Sequence, residues 1–162
     1  MTAILGTWNP ALWSWQDIAG VIVATASGRG VVDTWSVSNR RHGVKPGDRF
    51  YLLKVGRHPR GMVGSGTILS EPYQVPHWDG TPGKRTQTVD VEFDRVIDPD
   101  QVLPASVLSE HLPHTNWKPQ SSGTTIHPAD EEQLESLWNL HLSQLSADAT
   151  AANSAAVSGS IE

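Results

Sequence analysis

Thr34–Gly56 reads TWSVSNRRHGVKPGDRFYLLKVG, and its two halves follow different rules. In the second half, Lys45-Pro46-Gly47-Asp48 has the composition of a tight turn, and Arg49–Val55 places Phe50, Leu52 and Val55 against Tyr51, Leu53 and Lys54. Apolar residues at both parities predict a strand covered on most of both faces. The first half ends a second strand, Val31–Val37, in a polar and basic loop that carries Trp35, Ser36 and Asn39 next to Arg40 and Arg41. A loop of recognition residues fixed to a rigid strand is a common way to build a binding site.

Working outward, Thr2–Trp8 reads as a first strand ended by Asn9-Pro10, and Ser14 with Asp17 resembles a capping box. Ile18, Val21, Ile22 and Ala26 then recur at helical spacing, which predicts a helix over Trp15–Ser27. After Val55, Met62–Leu69 is a strand in which Gly64 and Gly66 leave room for another backbone or a ligand. Glu71–Arg85, with three prolines and two glycines, is expected to be a long exposed loop. Thr86–Ile97 alternates Val89, Val91 and Phe93 with Asp90, Glu92 and Asp94, as an antiparallel strand with one wet face does. Ala105–Leu112 forms a short helix, and Asn116–Ile126 is an irregular approach to a last strand. Pro128 and the acids after it open a helix that presents Leu134, Leu137, Trp138, His141, Leu142 and Leu145 on one stripe.

The expected class is α+β, a small curved sheet or pseudo-barrel of about five to six mostly antiparallel strands flanked by helices. One domain covers residues 1–145, long enough to bury roughly 68–70% of its unfolded surface. Residues 146–162 collapse to Ala, Ser, Thr and Gly and are expected to be a disordered tail or linker.

No cysteine is present, which removes disulfides, thiolate metal sites and thiol nucleophiles and fits a reducing cytoplasm. No apolar run approaches the ~20 residues of a membrane span, and no signal peptide opens the chain, so a soluble cytoplasmic protein is expected. The net charge is −5, yet Arg29–Arg60 holds eight basic residues against two acids. The acids collect in Asp90–Asp100 and Asp130–Glu135, so one basic face is expected to meet phosphates; a solvated charged surface is the plain alternative. The seven histidines show no helical metal spacing, and Pro113 breaks the relation between His111 and His114. Gly64-x-Gly66 lacks the rest of a dinucleotide fingerprint, and Ser121-Ser122-Gly123 is not a nucleophile elbow. Neither catalysis, a metal nor a cofactor is expected.

Tryptophan is the unusual feature, at positions 8, 13, 15, 35, 78, 117 and 138. Trp138 belongs to the core stripe of the last helix, and packing is the default for Trp13 and Trp15 at the start of the first. Trp8, Trp35, Trp78 and Trp117 stand at strand ends or in polar loops beside hydrogen-bonding groups, where several converging would make an aromatic slot.

Three segments carry a resemblance: Trp35-Ser36-Val37-Ser38-Asn39, Lys45-Pro46-Gly47-Asp48 and Gly61–Ile68 (GMVGSGTI). In this order, between a first strand with a polar end and a closing helix, they resemble the EVE domain of the PUA-like group, to which YTH and SRA readers also belong. The likeness spans Ala3–Leu145. Leu5–Pro10 departs from the Lys-Ser-Glu usual at that place, and Trp117–Gly123 replaces the usual Arg-Leu-Ser-Val. The departures look like the EVE-like variant fused ahead of HNH nucleases in modification-dependent restriction proteins. The Ala/Ser tail fits a linker to such a partner, and no His-Asn-His pattern occurs in the chain.

The resemblance implies a reader of double-stranded DNA that stacks a flipped modified base, foremost 5-methylcytosine or 5-hydroxymethylcytosine, with methyladenine second. The pocket it implies draws on Trp8, Asn9, Trp35, Ser36, Asn39, Trp117, Gln120, Ser121 and Ser122. Phosphates would be met by Arg40, Arg41, Lys45, Arg57, Arg60 and Lys118. Two other readings stay open at this point, a stand-alone PUA-like RNA-binding module and a small-molecule or protein-interaction domain with its tryptophans in the core.

Overall fold

The computed structural model describes residues 2–159, with side chains to Ala152. Its centre is one curved, mixed sheet of eight strands: β1 (Ala3–Trp8), β2 (Val31–Ser38), β3 (Arg49–Lys54), β4 (Gly61–Ile68), β5 (Tyr73–Pro76), β6 (Arg85–Val96), β7 (Leu103–Pro104) and β8 (Thr124–Thr125). The main path runs β2-β6-β4-β3-β1-β8. Among the described residues only β1 and β3 pair in parallel; the other pairings are antiparallel. The helices are α1 (Ile18–Ala26), α2 (Ala105–His111) and α3 (Glu131–Gly159), the last preceded by a 3-10 turn at Pro128–Asp130.

β3 lies between β1 and β4, and Phe50, Tyr51, Leu52, Leu53 and Lys54 are all buried, as its apolar residues at both parities predict. Each of its large apolar side chains contributes about 1.5–3 kcal/mol by burial. On β6, Val89, Val91, Phe93 and Val96 face the core while Glu92 and Asp94 are exposed. β6 takes β2 along one edge; its other edge takes β5 over Arg85–Thr88 and then β4 over Val91–Val96. That change of partner on one long strand separates a hairpin, β5–β6, from the body of the sheet.

Four expectations change. Glu71–Arg85 is not all loop, because Tyr73–Pro76 pairs with β6 as β5 and the intervening turn closes with the His77 amide on the Lys84 carbonyl at 2.8 Å. With β5 and the two-residue β7 and β8, the strands exceed the expected number; elements this short leave no readable period in a sequence. Ser14 caps nothing: α1 starts at Ile18 with Asp17 at its N-cap and no side-chain cap bond. α3 runs past Leu145 to Gly159, and Ser146–Ala152 are exposed along it. The change of composition therefore marks the end of packing while the alanines, good helix formers, carry the helix on. The remainder of the tail expectation, residues 160–162, lies outside the described residues.

The sheet and α3 are locked by charge as well as by packing. Arg49 donates to Glu135 from Nη2 at 3.0 Å and pairs with Asp94, while Tyr51 donates to Glu135 and Trp138 donates to Ser65 Oγ at 2.9 Å. Burial pulls the Arg49 pKa down, but its hydrogen bonds to Glu135 and Asp94, with their charges, outweigh this and hold the guanidinium above its ordinary value. Gly64 and Gly66 face backbone rather than a ligand. A Cβ on Gly66 would sit 2.5 Å from the Glu92 carbonyl of β6. No helix among the described residues is long and apolar enough to cross a membrane.

Candidate nucleic-acid interface

A cavity of about 800 Å³ opens where four segments meet: the end of β1, the bulged end of β2, the β5–β6 hairpin and the stretch Pro119–Ser122. Pockets of this size suit small ligands and single bases. Each segment is fixed there by an identifiable contact.

The floor is aromatic. Trp35 is buried in the middle of β2, its indole N–H donates to the Thr7 carbonyl at 3.1 Å, and its ring stands edge-on to Trp13 at 5.3 Å and 89°. Behind it, Phe93 and Trp15 pack at 5.9 and 5.0 Å. Trp8 is also buried and donates to the Trp13 carbonyl at 3.0 Å, which holds the turn after β1 against the floor. Gly6 permits this packing, because a Cβ there would lie 2.3 Å from the Phe50 ring and 3.3 Å from Trp35.

The bulge sets the polar rim. The β2–β6 register shifts between Ser36 and Ser38, and Ser38 adopts a left-handed φ of 61°. Such a conformation costs a non-glycine residue of order 1–3 kcal/mol and persists only where surroundings impose it. Here Ser36 Oγ lies 2.6 Å from Thr86 Oγ1 and accepts the Ser38 amide at 3.1 Å, and Thr86 Oγ1 also donates to the Ser38 carbonyl. The turn leaves Asn39 exposed on the cavity rim. The same chemistry holds the Ser-rich segment: Ser122 Oγ accepts the Thr7 amide at 3.0 Å, and Gly123, at φ +97°, lies so close to Val37 that a Cβ would meet its carbonyl at 2.7 Å.

Two indoles remain accessible. Trp13 is 37% exposed and Trp78 46% exposed, and both line the cavity. Trp78 sits in the hairpin turn beside His77, ring centroids 4.7 Å apart. Asp79 braces that turn by accepting from the Thr81 amide and Lys84 Nζ, each at 2.9 Å. The Thr81 amide first, then Lys84 and His77, hold the Asp79 carboxyl well below the usual carboxylate range.

Of the nine pocket residues expected from the sequence, eight line this cavity: Trp8, Asn9, Trp35, Ser36, Asn39, Gln120, Ser121 and Ser122. Trp117 does not. It is 4% exposed, and its indole N–H is held by the Leu112 carbonyl at 2.8 Å, so it packs in the core below α2. Ser36 and Ser122 hold the backbone in place. Asn39, Gln120 and Ser121 make no side-chain hydrogen bond among the described residues, and Asn9 Oδ1 accepts the Ala11 amide, which leaves its Nδ2 donor open.

The basic residues divide in the same way. Arg40 donates to the carbonyls of His42, Gly43 and Gly123 and to Thr125 Oγ1, clamping the Asn39 loop to β8. Arg60 donates to the Gly56 carbonyl. Arg41, Lys45, Arg57 and Lys118 are exposed and form no ion pair among the described residues. Arg49, one of the eight cations in the basic stretch, instead neutralises Asp94 and Glu135.

Trp78, a candidate for an aromatic slot on its sequence surroundings though outside the pocket that the resemblance implies, lines the cavity, as do Trp13, Lys84 and Arg85, which the sequence does not single out. A tryptophan in the Pro/Gly-rich stretch around His77-Trp78-Asp79-Gly80, with no apolar neighbour to pack on, was the available signal for Trp78. Trp13 gave none, since Trp15 two residues on has the same surroundings in sequence and is buried.

No family model matches the sequence, and no curated protein does. Solved structures are similar to it at low identity. A hypothetical protein from Leishmania major is 14% identical over 90% of this chain and 97% of its own, with a TM-score of 0.61. Protein PSPTO5229 from Pseudomonas syringae is 16% identical, covering 86% and 99%, at 0.53. The human THYN1 protein, solved in complex with 5-methylcytosine containing DNA, is 15% identical, covering 85% and 97%, at 0.55. At such identities the likeness is one of architecture, and the chain has the α+β PUA-like fold.

Proposed function

We propose that the chain is a non-catalytic reader that binds duplex DNA and takes a modified base, 5-methylcytosine or 5-hydroxymethylcytosine, out of the helix into the cavity beside Trp13 and Trp78. One observation carries this reading: two half-exposed indoles line a cavity with ample room for a base, whose floor is a buried aromatic cluster and whose rim bears open amide groups on Asn9, Asn39 and Gln120. Exposed apolar side chains gathered at one concave site, rather than scattered singly, mark a ligand surface, and Trp13 and Trp78 line the same cavity. The similarity to THYN1, bound to methylated DNA, supports the same use of the fold here.

The energies are compatible. Extruding a base costs a few kcal/mol, and stacking on an aromatic returns about 1–3 kcal/mol per base. Phosphate contacts from Arg41, Lys45 and Arg57 add a salt-dependent share. Burying one methyl group contributes about 0.8 kcal/mol, a factor of about four in affinity. A hydroxymethyl group bonded by Asn39, Gln120 or Ser121 would be separated further, because a mismatched ligand leaves buried polar groups unpaired. Such a module suits the specificity half of a modification-dependent restriction enzyme working in the cytoplasm. The departures at Leu5–Pro10 and Trp117–Gly123, like those in the HNH-fused variant, support that setting.

An affinity panel tests the reading. One duplex is made with cytosine, 5-methylcytosine, 5-hydroxymethylcytosine or 6-methyladenine at a single position, and the matching RNA is added as a fifth arm. Tighter binding to one cytosine modification is expected. Equal affinity across the DNA arms sinks the base-reading proposal, and preference for the RNA moves the chain to RNA binding.

A further inference from the structure

A second hollow, of about 470 Å³, shares Trp8 and Asn9 with the base cavity. Lys54 and Arg57, with His58 and Pro99, complete most of its lining, and no aspartate or glutamate lines it.

Lys54 decides its chemistry. The residue is 6% exposed, and its Nζ donates to the Pro99 carbonyl at 3.0 Å. An ammonium has three donors, and a carbonyl satisfies one of them without balancing the charge. No ion pair among the described residues includes Lys54. A buried cation with no counter-charge is costly unless an anion reaches it. The hollow gives that anion a way in, and Arg57, exposed on its lining, offers a second positive charge.

Asn9 connects this hollow to the base cavity. Its side chain lies against Gly56, where a Cβ would meet Oδ1 at 2.7 Å, and Oδ1 accepts the Ala11 amide. Asn9 lines both cavities and so forms part of their common wall, with Nδ2 its open donor. A nucleotide carries its base and its phosphate on one sugar, so a base on one side of that wall brings a phosphate to the other.

We infer that the Lys54–Arg57 hollow holds a phosphate of the DNA strand whose base enters the neighbouring cavity. The inference rests on the base-reading proposal and adds the strand's anchor point to it. Lys54 is the buried cation of the site, Arg57 the exposed one.

The test uses the full chain and a modified duplex in which single phosphates flanking the modified nucleotide are replaced by uncharged methylphosphonate. Wild-type affinity is expected to fall for one flanking replacement. Arg57→Gln is expected to bind modified and unmodified duplexes more weakly in the same proportion, to lose the sensitivity to that replacement, and to lower the slope of log affinity against log salt by about 0.9. Lys54→Met should behave alike; if it fails to fold, Arg57→Gln carries the test. A variant that keeps the wild-type salt slope and responds to every methylphosphonate as wild type does overturns the inference. Titration with inorganic phosphate separates the sources: an Arg57-dependent phosphate site combined with Arg57-independent DNA binding assigns the hollow to a free anion and also overturns it. Failure of the base-reading proposal is recognised separately, as a wild-type preference of one between modified and unmodified DNA.

Discussion

Trp35 and Trp78 line one cavity under different obligations. Trp35 is 6% exposed, gives its N–H to the Thr7 carbonyl and packs on Phe93 and Trp15, whereas Trp78 is 46% exposed on a hairpin turn beside His77. Arg40 and Arg41, adjacent in sequence, repeat the contrast: four acceptors hold the first and the second is exposed. Membership of a site thus separates into side chains that build its shape and side chains left open to meet a ligand. A residue type and its place in a motif do not distinguish the two.

Substitutions sharpen the comparison. Trp35→Ala removes a core side chain and should cost about 3–5 kcal/mol of stability, read by urea unfolding, with binding lost alongside the fold. Arg40→Ala frees the Asn39 loop from β8 and should cost about 1.5–3 kcal/mol by the same measurement, hydrogen bonds to a charged group being the strong ones. Trp78→Ala should leave the unfolding midpoint nearly unchanged and weaken binding of modified DNA by 1–3 kcal/mol, about fivefold to 150-fold. Equal loss of stability in Trp35→Ala and Trp78→Ala would erase the distinction. Arg41→Gln should change neither stability nor base preference and should only reduce the salt slope, by about 0.9 if the side chain meets one phosphate.

The smallest effect expected is on pH. The Asp79 carboxyl is held below its ordinary range by the Thr81 amide, Lys84 and His77. A depressed carboxylate pKa stabilises the folded form above the unfolded value and loses that contribution as pH falls through the folded one. The hairpin turn should therefore be indifferent to pH above the usual carboxylate range and loosen under stronger acid. Trp78 fluorescence reports this, and Asp79→Asn should bring the loosened signal to neutral pH.

Much of the architecture could be read from residue order because strong periodicity and burial coincide. β3 shows apolar residues at both parities and is buried on both faces; β6 alternates and has one wet face; α3 buries Leu134 and Trp138 from its stripe. β5 was hidden because Pro72 and Pro76 bracket it and its residues are mostly exposed, so no pattern separates it from loop. The site was legible as a set of segments. Its stacking surfaces were not. Whether Trp13, Trp78 or Trp117 is open depends on what tertiary structure places above each ring, and Trp117, beside polar Asn116 and Lys118, is covered by contacts distant in sequence. The same holds for Lys54: its place on a covered strand is legible, whereas its position at a cavity wall is set by contacts distant in sequence.

The central claim is that Trp13 and Trp78 receive a modified base. Indole N–H resonances of the seven tryptophans, assigned by single substitutions, test it during titration with a duplex carrying 5-methylcytosine and with its unmodified twin. The account predicts that the Trp13 and Trp78 signals move furthest with the methylated duplex, that Trp117 and Trp138 stay in place, and that the unmodified duplex produces much smaller shifts. Equal shifts with both duplexes, or movement that leaves Trp13 and Trp78 unchanged, would contradict it.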